Sequence, residues 1–428
     1  MKLFQQMLVA GASLSLLAPI AAQASDVVNL EEMNSYSSSK SQSSKLDSKT
    51  FINEVSEDIA NLKGRVDGLE AQQNELEAGS FSDTTTLDGK AIFAVGAVDS
   101  ESGELNEATM FQYTYQMNLN TSFSGDDNLY VRLKSGNSDK KADGETDLDA
   151  SPFSTKSYGT YLSSTNTNGD ALKIDKIWYT FPVGESNTFW VGPRIENYYM
   201  HGATPSIYSP TLKQFKLGGN GAAYGASTST GVGWAFNADN GFSLSSNVVS
   251  KTAGSNSGFL TDESKTNWST QVAYTKDRYH LSLITAMKYN DWEDSYYSTS
   301  AGKARTGGST NYGLRAYWRP DESGTAVPEL SVGYDISAVE DQDADTTAYM
   351  VGLTWKDMFQ PSDKIGIALG QPQKSEDETT DPFAYEVYYS FKPNDSIEIR
   401  PTIFGATDRT GTADDDVTGA VLETTFKF

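Results

Sequence analysis

Charged side chains, and not nucleophiles or metal ligands, carry most of the chemistry that this sequence offers. The 428-residue chain has no cysteine, which excludes disulfides and thiolate metal sites. Its two histidines, His201 and His280, leave little for acid–base catalysis or metal binding. A serine hydrolase would need a serine beside a histidine, and nothing in the sequence ties His280 to a particular serine. We therefore expect no enzyme, no cofactor and no metal.

Acidic residues form four clusters, at residues 291–294, 340–345, 376–378 and 414–416. With a net charge of -24, the chain is not expected to bind nucleic acid, because like charges would repel. The clusters could concentrate cations such as iron or calcium, but none has the turn glycine and terminal glutamate of an EF-hand loop. A solvated surface that opposes aggregation is the favoured interpretation.

From about residue 85 onward, apolar and polar residues alternate with a period of two, which predicts β-strands. In one window Tyr279, Leu281 and Leu283 share a face, while His280 and Ser282 share the other. The same alternation runs through residues 111–123, 311–319, 329–336, 383–392 and 397–403. An apolar face opposite a polar face is typical of strands that separate lipid from an aqueous lumen.

Short and long connections alternate between these strands, and counting gives sixteen strands from about Leu87 to Phe428. An even number with both ends on the short-turn side predicts a closed, antiparallel transmembrane β-barrel, with short periplasmic turns and long outer loops. The terminal Phe426-Lys427-Phe428 fits an aromatic girdle at the membrane interface. A soluble β-sandwich or propeller is the rival fold, but it explains the alternating connections less well.

Three segments precede the predicted barrel domain at residues 84–428. Residues 1–24 have the features of a signal peptide cut after Ala24, so we expect export to the outer membrane. Residues 25–50 are Ser-rich and predict a disordered linker. Residues 51–79 predict a helix with heptad spacing, either a coiled coil that self-associates or a helix docked on its own chain. The coiled-coil seam consists of Ile52, Val55, Ile59, Leu62, Val66, Leu69 and Leu76.

The seam does not fix the number of helices. Isoleucine and valine at the a positions with leucine at d favour two helices, whereas Gly64 and Gly68 weaken the helix itself.

Several stretches of sequence are specific to one family. They are MKLFQQMLVA at residues 1–10, KGRVDGLEA at 63–71, TTTLDGKAIFAVGAV at 84–98, VGPR at 191–194 and the terminal phenylalanine. In these the chain resembles the cyanobacterial outer-membrane porins, which are related to the carbohydrate-selective porins and often labelled iron-uptake porins. The resemblance implies a sixteen-stranded barrel and a homotrimer in outer-membrane lipid, with the coiled coil in the periplasm.

The chain departs from that family at one place. Family members usually carry a surface-layer-homology domain, which binds the cell wall, between signal peptide and coiled coil. Residues 25–50 occupy that place in this sequence, so we do not extend the family's cell-wall binding to this chain.

In general porins, the connection after the fifth strand folds inward and narrows the channel. The matching stretch is residues 197–221, and we predict that Arg194, His201, Lys213 and Lys216 form or flank the constriction; solvated surface lysines are the alternative. Strand alternation also predicts a charged lumen wall. Its members are Arg132, Lys134, Arg315, Arg319, Glu329, Asp335, Glu386, Glu398 and Arg400. Their mixed signs leave the ion preference open.

The sequence therefore predicts an outer-membrane porin, a water-filled channel for passive diffusion of small hydrophilic solutes and inorganic ions. Iron and sugars are solutes that the resemblance suggests. The alternative is a non-conducting structural or adhesive surface protein, for which we expect a plugged lumen.

Overall fold

Sixteen β-strands close into one antiparallel barrel, which confirms the predicted strand number and closure. The computed structural model describes residues 62–66, 84–138, 151–154, 158–166, 168–219, 222–224, 228–251, 253–292, 298–303, 307–340 and 342–428. The strands are β1 (Thr85–Ser100), β2 (Met110–Thr121), β3 (Asn128–Gly136), β4 (Lys173–Val183), β5 (Asn187–Ile195), β6 (Ser229–Asn237), β7 (Phe242–Ser250), β8 (Thr266–Lys276), β9 (Tyr279–Tyr289), β10 (Ser309–Trp318), β11 (Glu329–Val339), β12 (Thr346–Lys356), β13 (Lys364–Ser375), β14 (Phe383–Asn394), β15 (Ile397–Thr407) and β16 (Val417–Lys427).

The barrel closes where β1 pairs with β16, with Lys90 opposite Lys427 and Ser100 opposite Val417. Beyond β16, the backbone of Phe428 exchanges hydrogen bonds of 2.8 and 3.1 Å with that of Gly89. A side chain at Gly89 would collide with the Phe428 ring, since a Cβ built there lies 2.6 Å from it. The C-terminal residue is therefore part of the closure.

The two faces of the sheet follow the predicted alternation. On β9, Leu281 and Leu283 are exposed on the outer surface, whereas His280, Ser282 and Lys288 point inward and are buried. An outer apolar surface of this kind suits contact with hydrocarbon, and a closed sheet leaves no unpaired edge there.

The described residues of two long connections, one after β3 and one after β5, fold into the barrel. They meet at an isolated β-bridge between Leu162 and Leu212. Their apolar side chains pack against inward-facing residues of β1 and of β12 to β16. This inner apolar cluster includes Phe153, Tyr158, Leu162, Tyr208, Leu212 and Phe215 from the connections, and Ala94, Ala368, Ala384, Tyr388 and Phe404 from the wall. Part of the lumen is therefore dry, which the alternation pattern does not predict.

Of the residues that precede the barrel domain, only 62–66 are described; they are helical, with Leu62 and Val66 exposed. The other seam residues, Ile52, Val55, Ile59, Leu69 and Leu76, lie outside the described residues, as do the predicted signal peptide and linker. Among the described helices, none is long and apolar enough to span a membrane.

Candidate pore constriction

The connection after β5 begins at a buried ion pair. Glu196 contacts the ammonium of Lys176, which is fully buried on β4, and accepts a hydrogen bond from the Tyr198 hydroxyl. Burial disfavours the charged carboxylate, but the lysine and the hydrogen bonds outweigh it and hold the pKa of Glu196 well below its ordinary value. The next residues, Asn197–Met200, form a 3-10 turn that contacts β5, β6 and β7.

Aromatic rings continue from the barrel wall onto this turn. Tyr130 of β3 lies 4.3 Å from Trp178 of β4, between ring centroids, and Trp178 lies 5.0 Å from Tyr199. Tyr199 in turn lies 4.5 Å from Tyr198. Such tilted ring pairs add stability beyond the apolar area they bury, so the start of the connection is held against the wall.

The middle of the connection is fixed by Glu386 of β14. Its Oε1 accepts hydrogen bonds from the Tyr208 hydroxyl at 2.9 Å and from the Thr211 amide at 3.2 Å, and its Oε2 accepts one from the Leu212 amide at 2.6 Å. The carboxylate is fully buried, and these donors replace the water that it loses.

The end of the connection is fixed by Arg315 of β10. Its guanidinium donates to the Leu217 carbonyl at 2.8 Å and to the Asp335 carboxylate of β11 at 2.6 Å. Gly218 and Gly219 follow with φ of 78° and 112°, a region that favours glycine. Gly218 presses on Gly333 of β11, where an added Cβ would lie 1.7 Å from the Gly218 carbonyl oxygen.

A polar cavity of about 350 Å³ remains between this connection and strands β1 to β3. Five cationic side chains line it, against the single carboxylate of Glu196. They are Lys90, Arg132, Lys134, Lys213 and Lys216. Burial lowers the pKa of Lys213 and Lys216, to about 8 for Lys216.

A second polar cavity, of about 250 Å³, adjoins the first and shares Lys90 and Ser163 with it. Its charged lining residues are Lys90, Glu398, Arg400, Glu423 and Lys427. Arg400 donates to Glu398 at 2.8 Å and to the Ser209 carbonyl of the inward connection at 3.2 Å. The two polar cavities therefore adjoin along the wall, the first against β1 to β3 and the second against β1, β15 and β16.

Comparison with known proteins identifies the family. Residues 46–428 match the model of the carbohydrate-selective porin, OprB family. The chain belongs to this family. A relative in Nostoc sp., an uncharacterized protein, is 28% identical over 423 residues, which cover 88% of this chain and 71% of the relative. An uncharacterized protein of Synechocystis sp. is 30% identical over 147 residues, 34% of this chain and 25% of that protein.

Solved porins share the fold of this OprB-family chain. A high-pH structure of Pseudomonas putida OprB has a TM-score of 0.56 at 13% identity, and covers 81% of this chain and 94% of its own. A loop-deletion mutant of the Vibrio cholerae outer-membrane protein OmpT has a TM-score of 0.50 at 11% identity, and covers 81% and 100%. Family and fold together indicate an outer-membrane channel.

In this OprB-family porin, the predicted site residues fall into three groups. Lys213, Lys216, Arg132 and Lys134 meet in the first cavity, and Glu398 and Arg400 line the second. Three others predicted for the lumen wall, Arg315, Asp335 and Glu386, are instead buried beneath the inward connection. Arg319 and Glu329 lie beside the turn between β10 and β11, where Glu329 pairs with Lys356 at 2.7 Å and with Arg319 at 3.6 Å.

Two residues of the predicted constriction lie away from the basic cavity. Arg194 is exposed, and its Nε donates to the backbone carbonyl of Asp175. His201 packs beside Tyr224 and Ser245, and burial lowers its pKa to about 3. The described residues contain no group of three or more His, Asp or Glu side chains placed to hold a metal ion.

Sequence reasoning missed Lys90 and the segment at residues 158–166, which brings Ser163 to both cavities. Lys90 could have been found, because it alternates with the outward-facing Leu87 and Phe93 of β1. The ion pair of Lys176 with Glu196 was also missed, although Lys176 has the inward parity of Trp178.

Proposed function

We propose that this porin passes small hydrophilic solutes and inorganic ions by passive diffusion through a water-filled passage. The observation that carries the proposal is the pair of adjoining polar cavities between the inward connections and the wall. A sixteen-stranded barrel is wide enough for an aqueous channel, and here the two inward connections narrow it.

Planar-bilayer recording tests this proposal. Purified protein should produce stepwise increases in current in a lipid bilayer, and heat-denatured protein should produce none. A series of preparations that insert into liposomes but give no current steps would contradict the proposal.

The alternative is a non-conducting structural or adhesive protein, and one observation favours it: the inner apolar cluster fills part of the lumen with close-packed side chains. Such a core resembles a protein interior and excludes water. The same bilayer recording discriminates between the two functions, because a structural protein would remain silent.

We further propose sugars as permeants, following the description of the family, and iron as a less direct candidate, following the label used for the related cyanobacterial porins. Liposome swelling with sugars of increasing size measures sugar entry. Swelling rates equal to those of protein-free liposomes would contradict the proposal for sugars.

We also propose that the protein is exported with cleavage after Ala24, forms a homotrimer in outer-membrane lipid and carries a periplasmic coiled coil at residues 51–79. We propose no catalytic activity. N-terminal sequencing of the mature protein should begin at Ser25, and crosslinking in membranes should give a trimer; a different first residue or a monomer would contradict the respective proposal.

A further inference from the structure

We infer that the first cavity is an oxyanion-binding site, which makes the constriction selective for anions of the inorganic phosphate type. The inference rests on the proposed channel function and names a class of solute for it. The cavity carries an imbalance of charge, with five cationic side chains and one carboxylate in its lining.

The carboxylates near the cavity already have partners. Glu196 pairs with Lys176, and Asp175 pairs with Arg132. In the described part of the chain, no carboxylate lies within 4.0 Å of the ammonium groups of Lys90, Lys134 or Lys216. The cavity therefore holds a surplus of positive charge.

The surroundings of these lysines are those of a partly closed site. Lys216 lies over the Tyr198 ring at 5.4 Å, Lys213 lies over the Tyr161 ring at 4.8 Å, and Lys134 donates to the Thr165 carbonyl at 3.3 Å. Positive charges held in a place with restricted water are stabilised by a counter-charge, so an entering anion is favoured over an entering cation.

A polyatomic anion suits the donors better than a neutral solute does. Each lysine ammonium offers three hydrogen-bond donors and no acceptor, and the guanidinium of Arg132 likewise only donates. Phosphate carries several acceptor oxygens and a charge, whereas a neutral sugar also needs acceptors for its own hydroxyl protons. The acceptors that the cavity offers are neutral ones, such as Gln116 and Ser163, since its one carboxylate is engaged by Lys176 and Tyr198.

Lys90 gives the bound anion a way onward, because it lines both cavities. In the second cavity Lys427 and Arg400 extend the cationic path, while Glu398 and Glu423 reduce the net charge. A site that weakens along the path lets the anion leave, as conduction requires. The net charge of the whole chain, -24, has the opposite sign, so local geometry and not overall charge would set the selectivity.

The experiment is a bilayer recording on the purified full-length protein and two double variants. Reversal potential in a KCl gradient measures the preference between chloride and potassium, and added inorganic phosphate at constant ionic strength measures competition with chloride. Lys134→Gln with Lys216→Gln removes two charges from the cavity. Lys276→Gln with Lys392→Gln is the matched control, because both lysines lie at the short-turn ends of strands outside both cavities.

In the unmodified protein, the sign of the reversal potential should show that chloride permeates more readily than potassium. Added phosphate should reduce the chloride current. In the variant with Lys134→Gln and Lys216→Gln, the phosphate concentration that halves the chloride current should be about tenfold higher, because each charged hydrogen bond lost weakens phosphate binding. The control should behave like the unmodified protein. Glucose at the same concentrations should leave the chloride current unchanged.

Channels whose reversal potential shows a preference for potassium over chloride would overturn this inference, but they would still support the channel function. Equal phosphate sensitivity in the two double variants, or a stronger effect of glucose than of phosphate, would overturn it as well. Absence of channels in the unmodified protein would instead overturn the proposed function. If the double variant does not assemble, the single variant Lys216→Gln replaces it in the phosphate measurement. The reversal potential of the unmodified protein tests the anion preference without any variant.

Discussion

Glu386 illustrates how a charged residue on the inner wall can position the constriction without facing the solute. Its carboxylate lies under the inward connection and accepts three hydrogen bonds from Tyr208, Thr211 and Leu212. Strand alternation places Glu386 inside the barrel, yet it cannot tell that residues about halfway along the chain cover it. The sequence therefore predicts on which face of the strand Glu386 lies, but its role depends on contacts with residues that are remote in sequence.

Replacing Glu386 with glutamine should loosen the constriction and leave the barrel intact. The NH₂ group of glutamine would face either the Leu212 N–H or the Thr211 N–H, donor to donor, which costs about 1–3 kcal/mol for a buried donor left unsatisfied. We expect larger fluctuations of the open-channel current in Glu386→Gln. Glu322→Gln, in an exposed turn, should match the unmodified protein; identical current noise in both variants would show that this carboxylate does not hold the connection.

The protonation of Lys216 predicts a pH dependence of selectivity. Burial lowers its pKa to about 8, with Glu196 opposing this and Lys213, Arg132 and Lys90 adding to it. The ammonium is charged below that pH and neutral above it, so anion preference should fall as the pH rises from 7 to 9. Reversal potentials measured across this range should shift less in Lys216→Gln, and an equal shift in both proteins would assign the titration to another group.

At the scale of elements, the inward connection depends on the close approach of Gly218 to Gly333 of β11. A side chain at Gly333 would occupy the space of the Gly218 carbonyl, and overpacking of this kind costs about 1–3 kcal/mol. We expect Gly333→Ala to shift the end of the connection and to change the single-channel conductance. Gly254→Ala is the control, because a Cβ at Gly254 meets no atom within 4 Å. Unchanged conductance in Gly333→Ala would mean that the connection tolerates displacement here.

The strands were predictable from sequence because each is held between two different media. On β9, Leu281 and Leu283 face outward, whereas His280 and Ser282 face inward. The alternation of apolar and polar residues therefore follows directly from which side of the sheet each side chain faces. The segment at residues 158–166 has no such signal. Its burial depends on Leu212 and on the small wall residues Ala368 and Ala384, which leave room for it and are distant in sequence. Local patterns thus predict the barrel, while the filling of its lumen requires the three-dimensional arrangement.

At the scale of the whole molecule, the barrel has an unequal interior. The inner apolar cluster packs against β12 to β16 and part of β1, and the cationic cavity lies against β1 to β3. Packing on one side therefore determines how much passage remains on the other. This links the stability of a buried core to the conductance of the channel.

Shortening a side chain of that core should widen the passage. Leu162 is fully buried and bridges to Leu212, so Leu162→Ala removes about 2–5 kcal/mol of packing energy at the junction of the two inward connections. The hydrogen bonds between strands do not involve Leu162, so the barrel should still assemble, and we expect a higher single-channel conductance with weaker ion selectivity. Leu281→Ala removes the same atoms from the outer surface, where Leu281 is 54% exposed, and should leave the conductance unchanged. Equal conductance in the two variants would mean that the core does not limit the passage, and the width would then be set by the charged residues of the cavity alone.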